Sequence, residues 1–224
     1  MKQVIQEIKE NKIYKKITES KVFKALVKFY NYGNVKYVLF LYLVAFLLCF
    51  YTLATNSFTL PLSGDFVLQE IPFYYNGYDD WWTYITTGEF VMWDENTNLG
   101  VNNIGANSFY YLLNIFFLPT ILVPRSLVPQ MQAFLMITKM VLAGYVMKRL
   151  LDYFKVSDGT SKMIGVAYAF CGWTLYYLWF NHFIEITIVF PLVIWGLEKL
   201  LKEVQYEIMK FAVAVELVED EYYD

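Results

Sequence analysis

Histidine occurs once in this sequence, at 182, and cysteine only at 49 and 171. A zinc centre built from imidazole and thiolate needs more ligands than these, so none is expected. Both cysteines lie in apolar runs, where a thiol packs as a small core residue, which argues against a disulfide framework. The larger absence is positive charge. Between Tyr37 and Pro124 there is no Lys or Arg, while seven acids occur there: Asp65, Glu70, Asp79, Asp80, Glu89, Asp94 and Glu95. The whole chain carries 18 basic and 21 acidic residues, a net charge of -3, which excludes a basic surface for nucleic acid. What fills the 224 residues is apolar: 58% are hydrophobic and 20% aromatic, the composition of a membrane protein.

Residues 1–36 hold nine lysines and three glutamates, with Val4, Ile5, Ile8, Ile13 and Ile17 interleaved. This is a basic, partly amphipathic arm suited to anionic headgroups. The first apolar run, Tyr37 to Thr55, has no charge in 19 residues and follows that polar arm without a small-residue cleavage site. It reads as an uncleaved span over about 37–57 rather than a signal peptide. Lysines mark the cytoplasmic side, so the amino terminus is expected inside and the acidic loop 58–126 outside.

Four more apolar segments follow. If all crossed the bilayer, Lys148, Arg149 and Lys155 would fall on the outer face. The shortest, 109–124, contains Asn114 and the helix breaker Pro119, and is therefore read as a re-entrant or interfacial helix in the outer leaflet. Spans over about 127–147, 163–181 and 184–201 then restore the charge pattern. The expected fold is an all-α polytopic membrane bundle with four transmembrane helices. The acidic stretch 203–224 reads as a cytoplasmic tail or a truncation scar.

Several polar residues meet the outer boundary in this layout. Asp65 and Gln69 stand at i and i+4; on a helix they share a face and could hold an acceptor hydroxyl, with Asp65 as general base. Asp65 could equally be a helix N-cap. Pro72 is expected to end or kink that helix. Trp81, Trp82 and Trp93 suit an interfacial aromatic belt or a sugar-stacking platform. The loop "NLGVNNIG", with Asn103 between Gly100 and Gly105, reads as a turn or as an amide cradle for an anion. Lys139, inside an apolar span, is expected either to face a carrier phosphate or to pair with a carboxylate such as Glu185. His182 and Glu185 are read as a polar cluster bordering the pocket rather than a metal site.

These residues, in this order, resemble the YfhO family of bacterial multi-spanning membrane proteins, which look like glycosyltransferases of the GT-C type. The resemblance rests on Asp65, Gln69, Pro72 and Phe73; on Trp93, Gly100, Asn103, Gly105, Tyr110 and Tyr111; on Lys139 and Gly144; and on Tyr168, Ala169, Gly172, Glu185, Pro191, Leu192, Gly196 and Glu198. It covers about Tyr37 to Lys202. Glu70 replaces the aromatic residue usual after the Gln, and Glu185 stands where Asp is more common.

The resemblance implies an enzyme of the bacterial cytoplasmic membrane. Its donor would be a sugar on a polyprenyl phosphate, and its acceptor an envelope polymer such as a teichoic acid outside the membrane. Asp65 and Gln69 would be the catalytic pair, and Glu70, Asn103, Lys139, His182 and Glu185 substrate-binding residues. No cofactor is assigned, and a divalent metal is left open. Family members are several times longer, so the chain corresponds to an amino-terminal portion, which raises an alternative reading as a non-catalytic membrane scaffold. A transporter using Lys139 to line a path is a third.

Overall fold

The computed structural model describes residues 34–223 except 61, 63, 96 and 98. Residues 1–33 of the expected basic arm lie outside the described residues. Helix α1, Val35–Thr55, has neither Gly nor Pro in its 21 residues and is apolar on every side. Tyr37, Leu41 and Ala45 are buried in the bundle, while Leu39, Leu43 and Leu47 face outward. A helix that is apolar all round suits a core or a bilayer. Among the described residues, α1 is the one helix long and apolar enough to cross a membrane by length and composition. It stops where the Asn56 side chain donates to the Thr52 carbonyl at 2.8 Å. Ser57 then adopts φ 53°, and the Phe58 N–H closes on the Leu53 carbonyl at 2.8 Å. This closure consumes carbonyls that a helix end leaves open.

The chain next turns back along the bundle. A single π turn, Phe66–Glu70, places Phe66 in the core formed with Leu53, Ala133, Met136 and Ile137. Helix α2, Ile71–Thr87, starts at this turn, so Pro72 opens a helix where the sequence suggested a stop. A proline lacks an N–H that a first helical turn does not need. The helix ends at Gly88, whose φ of 76° few other residues adopt.

Strands β1, Trp93–Asp94, and β2, Val101–Asn102, pair antiparallel. Gly100 permits that tight turn: a Cβ there would lie 2.7 Å from the Trp93 indole nitrogen. Helix α3, Asn103–Asn107, is capped by Asn102, whose side chain accepts the Gly105 N–H at 2.7 Å.

The segment 109–124 is not the one helix expected. It forms a π turn over Ser108–Leu112 and a 3₁₀ turn over Leu118–Leu122. The break falls at Asn114, whose side-chain oxygen accepts the Phe116 N–H at 2.8 Å and so competes with the helical ladder. Pro119 then opens the 3₁₀ turn.

Helix α4, Val128–Tyr153, has 26 residues and continues beyond the expected end at Met147. Helix α5, Asp158–Ala169, has only 12 residues, about 18 Å at 1.5 Å per residue. The expected helix over 163–181 is thus broken. After Ala169 the chain becomes extended at Cys171, forms the short α6, Gly172–Tyr176, and continues in 3₁₀ turns through Phe183. Those turns bring Asn181 and His182 inside the bundle, a placement that a continuous helix would not give. Helix α7, Ile184–Tyr223, runs 40 residues through Pro191 and past Lys202, so the backbone of the expected tail 203–223 is helical.

Helices α1, α4 and α5 pack closely because two glycines meet. A Cβ on Gly144 would lie 2.8 Å from the Gly165 carbonyl and 2.9 Å from Ala169 Cβ. Tyr37 donates its hydroxyl to the Lys162 carbonyl at 2.9 Å, which fixes the start of α1 beside the start of α5. Tyr153 packs on Trp195 with ring centroids 6.0 Å apart, and Lys202 lies 4.6 Å over the Tyr153 ring. The end of α4 and the middle of α7 therefore meet. Lys148, Arg149, Lys155, Lys162, Lys199 and Lys202 belong to the elements that converge there.

Candidate functional site

Away from that basic end, four segments bring polar side chains into the interior. Lys139 lies halfway along α4 and is fully buried. Its ammonium has three protons and three acceptors: Glu185 Oε1 at 2.6 Å, Asn181 Oδ1 at 2.9 Å and the Asn181 carbonyl at 3.2 Å. The same Glu185 oxygen accepts a bond from Asn114 Nδ2 at 2.7 Å. The Asn181 amide in turn donates to the Tyr74 hydroxyl. The Lys139 ammonium also lies 5.3 Å over the Phe116 ring. Burying an ion costs several kcal/mol, and a saturated set of bonds of this kind is what offsets it.

A second pair adjoins the first. His182 Nδ1 lies 3.1 Å from Glu70 Oε1, at ion-pair distance, and both side chains are almost wholly enclosed. Tyr110 stands edge-on to His182 with ring centroids 5.1 Å apart, within electrostatic reach of both Glu70 and Asp65. Asp65 lies at the mouth of this arrangement. It is exposed, and its side chain makes no capping hydrogen bond to the π turn that follows. Gln69 is half-buried in that turn.

Of the residues singled out from sequence, Glu70, Lys139, His182 and Glu185 come together, with Asp65 and Gln69 at the edge. Asn103 belongs elsewhere. It donates to Asp80 Oδ2 at 2.9 Å and to the Val91 carbonyl at 2.8 Å, and accepts from Asn107 at 2.7 Å. Asp94 joins this second network by accepting from Asn107 at 3.4 Å, and it also accepts the Thr97 hydroxyl at 2.6 Å. Burial pushes the Asp80 carboxyl up, only partly offset by the Asn103 bond.

Tyr74, Asn114 and Asn181 are cluster members that sequence reasoning did not single out as site residues. Two of them left a signal: Asn181 precedes His182, and Tyr74 follows Glu70 by one helical turn. Gln132 is also buried, and neither end of its amide finds a partner among the described residues. Each such unpaired group costs about 1–3 kcal/mol, which a bound water or ligand hydroxyl would recover.

Beside the cluster runs a groove of about 370 Å³, lined by His182 and Glu185 at one end and by Ile186, Val189, Phe190 and Val193 beyond. Those apolar residues recur at i, i+3, i+4 and i+7, one face of α7. Among the described residues no group of His, Cys, Asp and Glu is arranged to hold a metal ion.

An apolar helix of membrane length, outward-facing leucines and a buried ionic cluster are consistent with a helical membrane protein. A family model described as "Bacterial membrane protein YfhO" matches residues 38–223, and the chain belongs to that family. The match runs beyond Lys202, where the resemblance was expected to end, and takes in the length of α7. No curated protein and no solved structure matches the chain.

Proposed function

We propose that this chain contributes the donor and acceptor sites of a GT-C-type membrane glycosyltransferase that uses a polyprenyl-phosphate sugar. The observation that carries the reading is the junction of an apolar groove on α7 with a cluster of charged groups, with the exposed carboxylate of Asp65 in electrostatic reach of the Tyr110 that packs on His182. A polyprenyl chain suits the lane Ile186 to Val193, with its head near His182 and Glu185. Asp65 suits the acceptor side: its carboxylate is exposed, whereas Glu70 and Glu185 are engaged by His182 and Lys139.

In the reaction, Asp65 takes the proton of an acceptor hydroxyl while that oxygen attacks the anomeric carbon. The bond from that carbon to the carrier phosphate breaks, and the polyprenyl phosphate leaves. Gln69 orients the acceptor, and Lys139 neutralises Glu185, so that this carboxylate at the head of the groove does not repel the departing phosphate. An envelope polymer such as a teichoic acid is the acceptor class. The test is transfer of radiolabelled sugar from a polyprenyl-phosphate donor in membranes carrying the intact chain or Asp65→Asn. We expect transfer by the first and a loss of at least about 100-fold in the second, the scale of general base catalysis. No transfer by the intact chain overturns the reading; equal transfer by both overturns the role of Asp65.

The second reading, a non-catalytic scaffold, draws support from the saturation of Lys139, which leaves no proton of the ammonium for a phosphate. Under either reading, we propose that α1, α4 and α7 cross the membrane, that the α5–α6 segment enters it, and that the basic end faces the cytoplasm. The convergence of Lys148, Arg149 and Lys155 with the start of α1 supports this orientation. Impermeant maleimide should label Asn76→Cys from outside and leave Lys155→Cys untouched until the membrane is opened; labelling of Lys155→Cys in sealed cells overturns it.

A further inference from the structure

Helix α7 leaves the bundle at the basic end. Trp195 and Lys202 still meet Tyr153 of α4, but from Leu201 to Lys210 every residue is exposed. Lys199, Lys202, Glu203, Glu207 and Lys210 put five charges into this short stretch, a density that hydrocarbon does not accept, so it stands in water. Yet Leu200, Val204 and Ile208 follow one another at single-turn intervals on one face, and all three are about half exposed or more. Glu203 and Glu207 flank them, and the five side chains line a shallow groove of about 440 Å³.

An apolar floor edged by carboxylates is complementary to a segment that interleaves apolar residues with lysines. Residues 1–33 have that composition: Val4, Ile5, Ile8, Ile13 and Ile17 lie among eight lysines and three glutamates, an excess of five positive charges. Residues 203–224 carry seven acids and one lysine. That lysine, Lys210, pairs with Glu207 at 2.9 Å, which still leaves six acids in excess. A second copy of α7 would bring the same negative excess and be repelled. The fold also delivers the basic segment to the right place. It leads into α1, where Tyr37 is tied to Lys162 of α5; Asp158 of α5 meets Lys148 of α4, and Tyr153 of α4 meets Trp195 of α7. The start of α1 and the projecting part of α7 therefore share one end of the molecule, and a tethered segment reaches the groove at high effective concentration.

We propose that residues 1–33 dock on this face of α7, their apolar residues against Leu200, Val204 and Ile208 and their lysines against Glu203 and Glu207. Those lysines are then held by the chain itself rather than by anionic headgroups. The inference rests neither on the glycosyl-transfer reading nor on which side of the membrane the basic end faces.

The test uses the full chain in vesicles of phosphatidylcholine and phosphatidylglycerol, as an equal mixture of isotope-labelled and unlabelled copies, with p-benzoylphenylalanine in place of Val204. After irradiation, mass spectrometry maps what has been joined to α7. The expected adduct falls within residues 1–33 and joins peptides of like label. Glu203→Lys with Glu207→Lys should lower its yield several-fold. Adding Lys9→Glu, Lys12→Glu, Lys15→Glu and Lys16→Glu should restore most of it, because the two charge patterns have then been exchanged. Adducts with lipid in place of residues 1–33, or adducts of mixed label from two copies, overturn the proposal. So does a yield that the glutamate exchange leaves unchanged or that the second exchange fails to restore.

Discussion

Helix α4 buries two lysines nine positions apart, and their surroundings differ in kind. Lys139 draws its partners from Asn181 and Glu185, more than 40 residues away, and those partners are held by Tyr74 and Asn114. Lys148 draws its partners from its own neighbourhood: Asp152 one turn on at 2.6 Å and Asp158 just beyond the helix at 3.2 Å. The first ammonium gathers four segments around one charge. The second staples a single helix–turn–helix corner, and its acids remain hydrated, with side chains 32% and 65% exposed. A buried lysine that organises distant segments marks a candidate site; one that closes a local turn marks architecture.

Truncating each lysine to methionine should separate the two by stability. Lys139→Met keeps the packed volume but leaves Glu185, only 24% exposed, without its cation. A loss of about 3 kcal/mol is expected, the lower end for a broken buried pair. Adding Glu185→Leu should recover much of it, because the stranded charge is gone. Lys148→Met leaves acids that water can solvate, so a loss of about 1 kcal/mol or less is expected. Denaturant titration of the folded fraction in mixed micelles reads both. Losses of equal size would remove the distinction between the two clusters.

How far this contrast was visible in the sequence follows from the range of the forces involved. A charge inside an apolar span demands a counter-charge, so Lys139 with Glu185 was legible from Lys139 alone. The Glu70 and His182 contact was not, because 112 positions separate them and nothing local requires the pair; Glu70 stood out only as a departure from a family pattern. Helix α1 was legible because uniform apolarity leaves it few alternatives. The stretch 163–181 is also uncharged, yet its helix ends at Ala169, and the turns that follow seat Asn181 beside Lys139. Hydropathy sees the apolar residues in that run and not the polar bond that reorganises it. The 203–223 stretch was read from its acids as a tail, although no glycine or proline interrupts the helix there. Asn103 was picked out by its glycine neighbours, which report turn geometry; its binding partners Asp80 and Asn107 became visible only when α2 and α3 were placed together.

Acid should divide the two ends of the molecule more gently, and in opposite senses. Asp158 is held below its ordinary value of 3.8, first by the bond from Lys162 and then by the bond from Lys148. A carboxyl lowered by folding contributes stability above its unfolded value and loses it as pH falls through the folded one, so the corner loosens below about 3.8. Asp80 is held above 3.8, chiefly by burial. A raised carboxyl imposes a cost at neutral pH that is relieved as pH falls toward 3.8, so the hairpin network tightens over the interval in which the corner is still intact. Hydrogen exchange followed from pH 7 to pH 3, corrected for intrinsic rate, should slow in residues 80–107 before it quickens in residues 148–162. The Asn103 network must keep its geometry when Asp80 takes up its proton for that order to hold, because a protonated carboxyl still accepts the Asn103 bond on its free oxygen. Quickening at both ends from the start would show instead that Asp80 is stabilised as a carboxylate, and that the bonds it accepts from Asn103 and Tyr111 outweigh its burial.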